Sequence, residues 1–127
     1  MEVGRVLIVD DDEDLLAAIG SLIEAEGYQV LTLLDGKVLK KKVDTFKPDC
    51  VLLDVMLPGD PGPMLSKKLK GHPDYEDLPI ILMSANEQTQ NELEDSLADS
   101  FVSKPFDYYN LLDLIAQYVN KHKKLAN

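Results

Sequence analysis

The sequence predicts an α/β fold in which helices cover both faces of a parallel β-sheet, and three observations support this prediction. Short runs of Val, Ile and Leu recur along the chain, each with the length of one buried strand. Segments with apolar residues at helical spacing lie between these runs. The chain has 127 residues, of which 45% are hydrophobic and 28% charged, as in one globular domain. Strands that alternate with helices favour a parallel sheet.

Five apolar runs are predicted to form the strands. The first and third runs are apolar at successive positions, which indicates strands that are buried on both faces of the sheet. Polar residues follow directly after the first, third, fourth and fifth runs, where these strands are expected to end. The predicted strands are residues 5–9, 28–34, 50–53, 79–83 and 101–102.

Helical segments follow each predicted strand, and start and stop signals mark several of their ends. Gly27 is expected to end the first helix, and Pro48 closes the second, which is rich in lysine. Asp107 is expected to cap the last helix at its amino end. The first, third and fourth helices are predicted at residues 12–26, 64–70 and 86–96. The second helix is predicted from the apolar positions Val38, Leu39, Val43 and Phe46, and the last helix from Leu111, Leu112, Ile115 and Val119.

The fourth helix has the weakest pattern, because only Leu93 and Leu97 form a clear apolar pair. Residues 121–127 are polar and are predicted as a tail beyond the last helix. Right-handed crossovers leave few ways to connect five parallel strands. At this size the common solution is the flavodoxin-like, doubly wound sheet with strand order 2-1-3-4-5 and about five helices, which we therefore predict.

Charge and cysteine content narrow the class of protein. The formal net charge is −10, so we expect no direct binding to nucleic acid and little attraction to anionic membranes. The one cysteine, Cys50, cannot form an internal disulfide, which fits a reducing compartment. No segment has the roughly 20 apolar residues of a membrane span, and the amino terminus does not resemble a signal peptide. We therefore expect a cytoplasmic location without membrane insertion.

Polar residues lie at the ends of four strands, and these strands are neighbours in the predicted order 2-1-3-4-5. The first strand is followed by Asp10 and Asp11, the third by Asp54, the fourth by Ser84, and the fifth by Lys104. Because parallel strands direct their carboxyl ends to one edge of the sheet, these five residues are expected to meet in one pocket.

The chemistry of such a pocket favours a metal ion and phosphoryl transfer. Carboxylates that lie close together raise one another's pKa unless a cation lies between them, and hard oxygen ligands suit Mg²⁺. A lysine opposite the metal can clamp a transferring phosphoryl group, and a carboxylate can itself act as the nucleophile. The simpler alternative is an acid–lysine network with a purely structural role. An EF-hand is excluded, since Leu15 and Ser21 stand where that loop needs Gly and Glu.

Four segments together carry a resemblance to a known family. They are Val6-Leu7-Ile8-Val9-Asp10-Asp11-Asp12, Pro48-Asp49-Cys50-Val51-Leu52-Leu53-Asp54-Val55-Met56-Leu57-Pro58-Gly59, Ile81-Leu82-Met83-Ser84-Ala85 and Phe101-Val102-Ser103-Lys104-Pro105-Phe106. In this order and spacing they resemble the receiver domain of two-component response regulators. The resemblance covers essentially the whole chain, so we expect residues 1–127 to be one receiver domain, with no output domain in this chain.

The resemblance implies a signalling switch rather than an enzyme, with at most self-catalysed phosphorylation and dephosphorylation. Asp54 would accept a phosphoryl group from a phosphohistidine on a sensor histidine kinase or a phosphotransfer protein. Asp10 and Asp11 would hold Mg²⁺ together with Asp54 and the backbone carbonyl of Met56. Lys104 would pair with Asp54 and then with the phosphoryl oxygens.

The same resemblance assigns the residues that pass the signal on. Ser84 matches the switch hydroxyl, and Phe101 matches the switch aromatic that turns inward when Ser84 moves. Together they would change a face that binds a downstream protein, whose identity the resemblance does not give. Pro105 stands where the family favours a cis peptide bond, and Gly62 matches the glycine before the third helix.

The sequence departs from the family pattern in the fourth-helix region and beside the phosphoacceptor. The segment between Ser84 and Lys104 is about two residues short, so the fourth helix is expected to be short, displaced or poorly formed. The usual dimer mode is thereby put in doubt, and the oligomeric state is not predicted. Met56 and Asn86 lie where the family varies the residues that flank the attacking water. Because Met56 cannot orient water by hydrogen bonding, we expect a long-lived phosphoryl group.

Two alternative functions remain open at this point. A phosphorylation-independent interaction module could use the same fold, although such modules usually lose an acid or the lysine. A haloacid-dehalogenase-like phosphatase also uses an aspartate nucleophile and Mg²⁺, but it needs a second aspartate where this chain has Met56.

Overall fold

The computed structural model describes residues 3–85 and 90–126 and confirms the predicted fold. Five parallel strands form one sheet in the order β2-β1-β3-β4-β5. The strands occupy Arg5–Val9 (β1), Gln29–Leu33 (β2), Cys50–Asp54 (β3), Ile80–Ser84 (β4) and Ser100–Ser103 (β5).

The helices lie close to their predicted positions. The first is capped by Asp12, whose Oδ1 accepts from the backbone N–H of Leu15 at 3.1 Å. It is followed by Gly27, which has a positive φ of 101° that few other residues adopt easily. The helices occupy Glu13–Ala25 (α1), Leu39–Phe46 (α2), Gly62–Lys70 (α3), Gln90–Ser96 (α4) and Tyr108–Ala126 (α5), with a 3₁₀ turn at Pro73–Tyr75.

Two apolar clusters hold the sheet between its helices. The cluster on one face joins alternate residues of the central strands to α1 and α5 and includes Ile8, Ile19 and Ile115. The cluster on the other face joins the intervening residues to α2 and α3 and includes Val51, Val43 and Leu65. All residues of β3 and β4 are buried, which explains why these two runs show no polar alternation. Cys50 is one of them, and burial raises the pKa of its thiol, so it acts as a small core side chain.

Two helix boundaries differ from the sequence prediction by more than one residue. The third helix begins at Gly62, two residues before the predicted start, because Pro63 falls in its first turn, where a missing N–H is tolerated. The prediction of a polar tail over residues 121–127 is wrong for residues 121–126, which continue α5. His122 makes a tertiary contact there, since its Nδ1 lies 3.0 Å from Oδ1 of Asp49.

The fourth helix is the shortest of the five in the described residues. It spans Gln90–Ser96, and the predicted part from Asn86 to residue 89 lies outside the residues described. The predicted apolar pair of this helix does not form, because Leu97 follows the helix with a positive φ of 63° and is 47% exposed. Leu93 alone packs against the core.

A search of the described helices for a membrane span finds none that has both the length and the apolar content to cross a bilayer.

A buried hydroxyl in α3 leads to a prediction about stability. Ser66 is 0% exposed, and its Oγ has no hydrogen-bond partner among the described residues. Ser66→Ala is expected to stabilise the protein by about 1 kcal/mol, because the change removes an unsatisfied polar group and favours the helix. Thermal unfolding should then occur about 4 °C higher. Ser21→Ala is the control, because Ser21 is exposed on α1 and its replacement changes only the helix propensity. If both variants gain the same free energy of unfolding, the burial of the Ser66 hydroxyl has no effect on stability.

Candidate functional site

Three carboxylates meet at the carboxyl edge of the sheet. Asp10 follows β1, and its backbone N–H donates to the carbonyl of Leu33 at 3.1 Å, so the residue extends the pairing of β1 with β2. Asp54 is the last residue of β3, the strand on the other side of β1. Asp10 is 0% exposed and Asp54 4% exposed, whereas Asp11 is open to solvent. Two of the three acids are therefore held in a fixed, largely dry position by the sheet.

Lys104 joins the two buried acids. Its Nζ lies 2.7 Å from Oδ2 of Asp10 and 3.3 Å from Oδ1 of Asp54. The backbone N–H of Lys104 donates to the carbonyl of Ser84 at 2.7 Å, which fixes the start of this side chain against β4. The resemblance led us to expect a pair between Lys104 and Asp54. The shorter contact is with Asp10.

Burial and charge shift the pKa values of this network. Burial, reinforced by the charge of Asp10, raises the pKa of the Asp54 carboxyl, while Lys104 and the backbone N–H of Met56 act in the opposite direction. Burial alone would lower the pKa of Lys104, but its contacts with Asp10 and Asp54 outweigh this effect and raise it. Lys104 is therefore charged at neutral pH and offsets part of the repulsion between the two acids.

The acids fit the requirements of a divalent metal ion. Asp10, Asp11 and Asp54 each offer a carboxylate oxygen, and these oxygens lie within 4.8 Å of one another. Oxygen ligands from one or two carboxylates, with solvent on one side, are typical of Mg²⁺ sites. One oxygen of Asp10 is already engaged by the backbone N–H of Asp12 at 3.0 Å, which orients the carboxylate.

The two predicted relay residues, Ser84 and Phe101, lie on the neighbouring strands β4 and β5. Ser84 is the last residue of β4 and is 2% exposed, opposite Ser103 in the pairing of β4 with β5. Phe101 is half-buried in β5 and lines two surface grooves, one with Leu97 beside α4 and one with Leu114 of α5. An aromatic at this position can contact either helix.

The loop after Asp54 shapes the mouth of the site. The side chain of Met56 is 71% exposed and lies outside the core. Asn86, the other residue expected to flank the attacking water, lies outside the residues described. The peptide bond between Lys104 and Pro105 is cis, as the resemblance led us to expect.

Two residues have structural roles that the sequence did not predict. Gly62 lies so close to β3 that a Cβ would come within 2.1 Å of the Asp54 carbonyl oxygen. Asp99 accepts at Oδ2 from Nζ of Lys70 and from the backbone N–H of Ile80, both at 2.8 Å, and so anchors the start of β4. The sequence indicated Gly62 only as a match to the family pattern, and it showed neither the contact of Gly62 with β3 nor the bonds of Asp99.

Comparison with protein families gives a match over most of the chain. The family model described as "Response regulator receiver domain" matches residues 6–116. The phosphate regulon transcriptional regulatory protein PhoB of Rhizobium meliloti (strain 1021) is 31% identical over 121 residues, which are 94% of this chain and 53% of that protein. The chain thus spans about half the length of this curated relative.

Solved structures agree with the sequence comparison. A CheY-like response regulator receiver domain protein from Methanospirillum hungatei JF-1 has a TM-score of 0.84 at 26% identity, covering 94% of this chain and 96% of that one. The signal receiver domain of a signal transduction histidine kinase from Syntrophus aciditrophicus has a TM-score of 0.83 at 27% identity, covering 93% and 91%.

Proposed function

Because the chain belongs to the response regulator receiver domain family, we propose that it is a phosphoryl-accepting switch in which Asp54 is the phosphoacceptor. Receiver domains are signalling domains of two-component systems, and response regulators receive their phosphoryl groups from histidine kinases. The proposed donor here is a phosphohistidine on a sensor histidine kinase or phosphotransfer protein, in the cytoplasm.

The contact of Lys104 with Asp10 and Asp54 is the observation that carries this proposal. A lysine 2.7 Å and 3.3 Å from two buried carboxylates puts a positive charge beside the group that would be phosphorylated. A third acid, Asp11, offers a carboxylate oxygen within 4.8 Å of an oxygen of each of them. A structural ion pair would need no third acid at this place.

The proposed chemistry is an in-line transfer. An oxygen of Asp54 attacks the phosphorus, the phosphorus–nitrogen bond of the donor breaks, and its electron pair stays on the imidazole nitrogen. Lys104 then moves its hydrogen bond from Asp54 to the phosphoryl oxygens. Its positive charge thereby stays next to the negative charge that develops on these oxygens during transfer. Mg²⁺, held by Asp10, Asp11, Asp54 and the carbonyl of Met56, would neutralise charge on the phosphoryl oxygens. In the proposal, the same groups would assist phosphorylation of Asp54 from a small donor.

The signal then leaves through Ser84 and Phe101. In the proposal, the hydroxyl of Ser84 moves to bond the phosphoryl group at the end of β4. Phe101 lies between grooves beside α4 and α5, so a change in its position alters the surface that a protein target would contact. The net charge of −10 argues against nucleic-acid binding by these residues themselves. The relative in Rhizobium meliloti is a transcriptional regulatory protein of about twice this length.

The test is intact-mass analysis after incubation with acetyl phosphate and Mg²⁺. The wild-type chain should gain the mass of one phosphoryl group, and Asp54→Asn should gain none. Omitting Mg²⁺ should abolish labelling of the wild type. If the wild type remains unlabelled with acetyl phosphate and with a histidine kinase donor, the chain is a phosphorylation-independent module. Equal labelling of Asp54→Asn would assign the phosphoacceptor to another residue.

The residue two positions after Asp54 leads to a prediction about phosphoryl lifetime. The Met56 side chain is 71% exposed and offers no hydrogen bond to orient an attacking water. Met56→Asn is expected to speed hydrolysis of the Asp54 phosphoryl group by about tenfold, since positioning groups of this kind contribute substantially to rate. The measurement is loss of phosphoryl mass with time after the donor is removed. Met56→Leu is the matched control, and an unchanged rate in Met56→Asn would contradict the prediction.

A further inference from the structure

The helices on one face of the sheet carry charge of the opposite sign to the rest of the chain. Within Leu39–Phe46 and Gly62–Lys70 there are six lysines and one aspartate, a net charge of +5. The whole chain carries −10, so the other residues together carry −15. Such segregation gives α2 and α3 a positive field on an otherwise acidic protein. The proposed phosphoryl chemistry makes no use of this face.

A groove of about 380 Å³ lies between α2 and α3. Its floor is apolar and consists of Leu39, Leu65 and Leu69, which are 3%, 8% and 4% exposed. The rim is polar and consists of Lys37, Lys40, Lys68 and His72. Three cations around an apolar floor would attract a ligand that is both acidic and apolar.

The rim is held in shape by contacts of its own. Lys40 bonds Asp44 at 2.9 Å, and Asp44 also accepts from the hydroxyl of Tyr75. Nζ of Lys40 lies 5.6 Å from the centre of the Tyr75 ring, and the centre of the His72 ring lies 5.5 Å from it with the two planes tilted by 35°. The floor is close-packed as well, because a Cβ on Gly36 would come within 2.3 Å of Leu65 Cδ1. The groove is therefore built from both sides and does not depend on one flexible side chain.

The form of the groove favours a protein segment over other anions. The rim lysines are exposed, and two of them already have carboxylate partners, since Lys40 pairs with Asp44 at 2.9 Å and Lys68 with Asp60 at 3.6 Å. A rim of partly neutralised cations suits an extended acidic segment better than a single phosphate, which needs charge-assisted bonds at one point. A long polyanion such as nucleic acid, or an anionic membrane, would also meet the −15 carried by the rest of the chain. A short acidic segment can meet the positive face alone and place one bulky apolar side chain on the leucine floor.

We propose that the groove between α2 and α3 docks an acidic segment of a partner protein, with an apolar side chain of that segment seated on Leu39, Leu65 and Leu69. This docking surface lies on the face of the sheet opposite α1 and α5 and is separate from the surface around Phe101. It does not depend on phosphorylation of Asp54.

The test uses a blocked synthetic peptide that repeats Glu-Leu-Glu-Asp as the probe. Titrated into the isotopically labelled full chain, it should move the amide signals of the groove, including those of Leu65 and His72. Binding should weaken as salt is raised, because exposed charges are screened. A peptide with Ser in place of Leu has the same charge but no apolar side chain to pack on the leucine floor. It should therefore bind at least about tenfold more weakly.

A matched pair of charge-reversed variants locates the site on the chain. Reversing Lys37, Lys40 and Lys68 together to Glu should weaken peptide binding at least about tenfold. Reversing Lys121, Lys123 and Lys124 to Glu changes the net charge equally and should weaken it less than about threefold. Dispersed amide spectra confirm that both variants fold, and both should accept a phosphoryl group on Asp54, so this test can fail without the phosphoacceptor proposal failing.

Several results would overturn the docking proposal. These are equal loss of binding in the two variants, equal binding of the Ser peptide, and signal changes confined to other faces. Equal affinity for a short DNA strand or for anionic phospholipid vesicles would assign the face to anions in general. Groove signals that move with protein concentration in the absence of peptide would assign it to a second copy of this chain.

Discussion

Replacing Lys104 with methionine is expected to slow phosphorylation of Asp54 by a factor of about 10² to 10³. Methionine has a similar length but no charge, so the change removes the cation and little volume. In the wild type, Nζ of Lys104 lies 3.3 Å from Oδ1 of Asp54 and is already positioned for the phosphoryl oxygens. Its loss removes a preorganised charge at the point where negative charge develops.

The same change should also affect the acids in the absence of phosphoryl donor. Burial and the charge of Asp10 raise the pKa of Asp54, and Lys104 opposes that rise. Without Lys104, the pKa of Asp54 should rise further, so a larger fraction of the nucleophile is protonated at a given pH. The rate of phosphorylation of Lys104→Met should therefore increase with pH over a higher range than that of the wild type.

The measurement is the initial rate of phosphoryl incorporation by intact mass, with acetyl phosphate and Mg²⁺, at several pH values. Lys70→Met is the matched control, because Lys70 also bonds a carboxylate, Oδ2 of Asp99 at 2.8 Å, but lies away from the site. The control should phosphorylate at close to the wild-type rate. A loss of less than about threefold in Lys104→Met would show that this lysine does not assist the transfer.

Local sequence patterns were sufficient to predict the sheet. The runs that form β1, β3 and β4 are apolar because helices cover both faces of the sheet. This burial leaves its mark on the residues of each strand, so the strands can be predicted from local sequence alone. Given these strands, the rule that parallel strands share one carboxyl edge predicts that Asp10, Asp54 and Lys104 lie together. The site follows from topology, and the topology follows from the order of the elements.

Features that depend on distant contacts could not be predicted in this way. The end of α5 is polar in sequence, yet it stays helical, and His122 there contacts Asp49, which is 73 residues away. Lys104 lies nearer to Asp10 than to Asp54, a difference that depends on the placement of β5 against the other strands. Leu97 has helical spacing from Leu93, but the chain turns out of the helix at that point. In each case, contacts between residues that are distant in sequence determine the structure, and local propensity does not.

Gly62→Ala is expected to destabilise the protein by about 3 kcal/mol, near the upper end of the cost of overpacking. A Cβ at residue 62 would lie 2.1 Å from the carbonyl oxygen of Asp54, 2.9 Å from its carbonyl carbon and 3.1 Å from Cα of Val55. All three atoms belong to the backbone, so no side-chain rotation can relieve the clash. Either α3 or the end of β3 must move.

The movement required by Gly62→Ala falls on Asp54, the proposed phosphoacceptor. The backbone N–H of Gly62 donates to the carbonyl of Val55 at 3.0 Å, which ties the start of α3 to the residue after Asp54. Displacement of this contact shifts Asp54 relative to Lys104, and an error of about 1 Å in such a site can cost about 10² in rate. The variant should therefore lose phosphorylation rate as well as stability, under conditions where it remains folded.

Urea unfolding measures the first effect and phosphoryl incorporation the second. Gly20→Ala is the matched control, since Gly20 is buried in α1 but a Cβ there would meet no atom closer than 3.8 Å. That variant should gain about 0.5 to 1 kcal/mol from the higher helix propensity of alanine and keep its phosphorylation rate. Opposite signs for the two substitutions would attribute the loss in Gly62→Ala to its contact with β3. Stabilisation of both would mean that α3 can move away from the sheet at no cost, and the close approach of Gly62 to Asp54 would then have no role in holding the nucleophile.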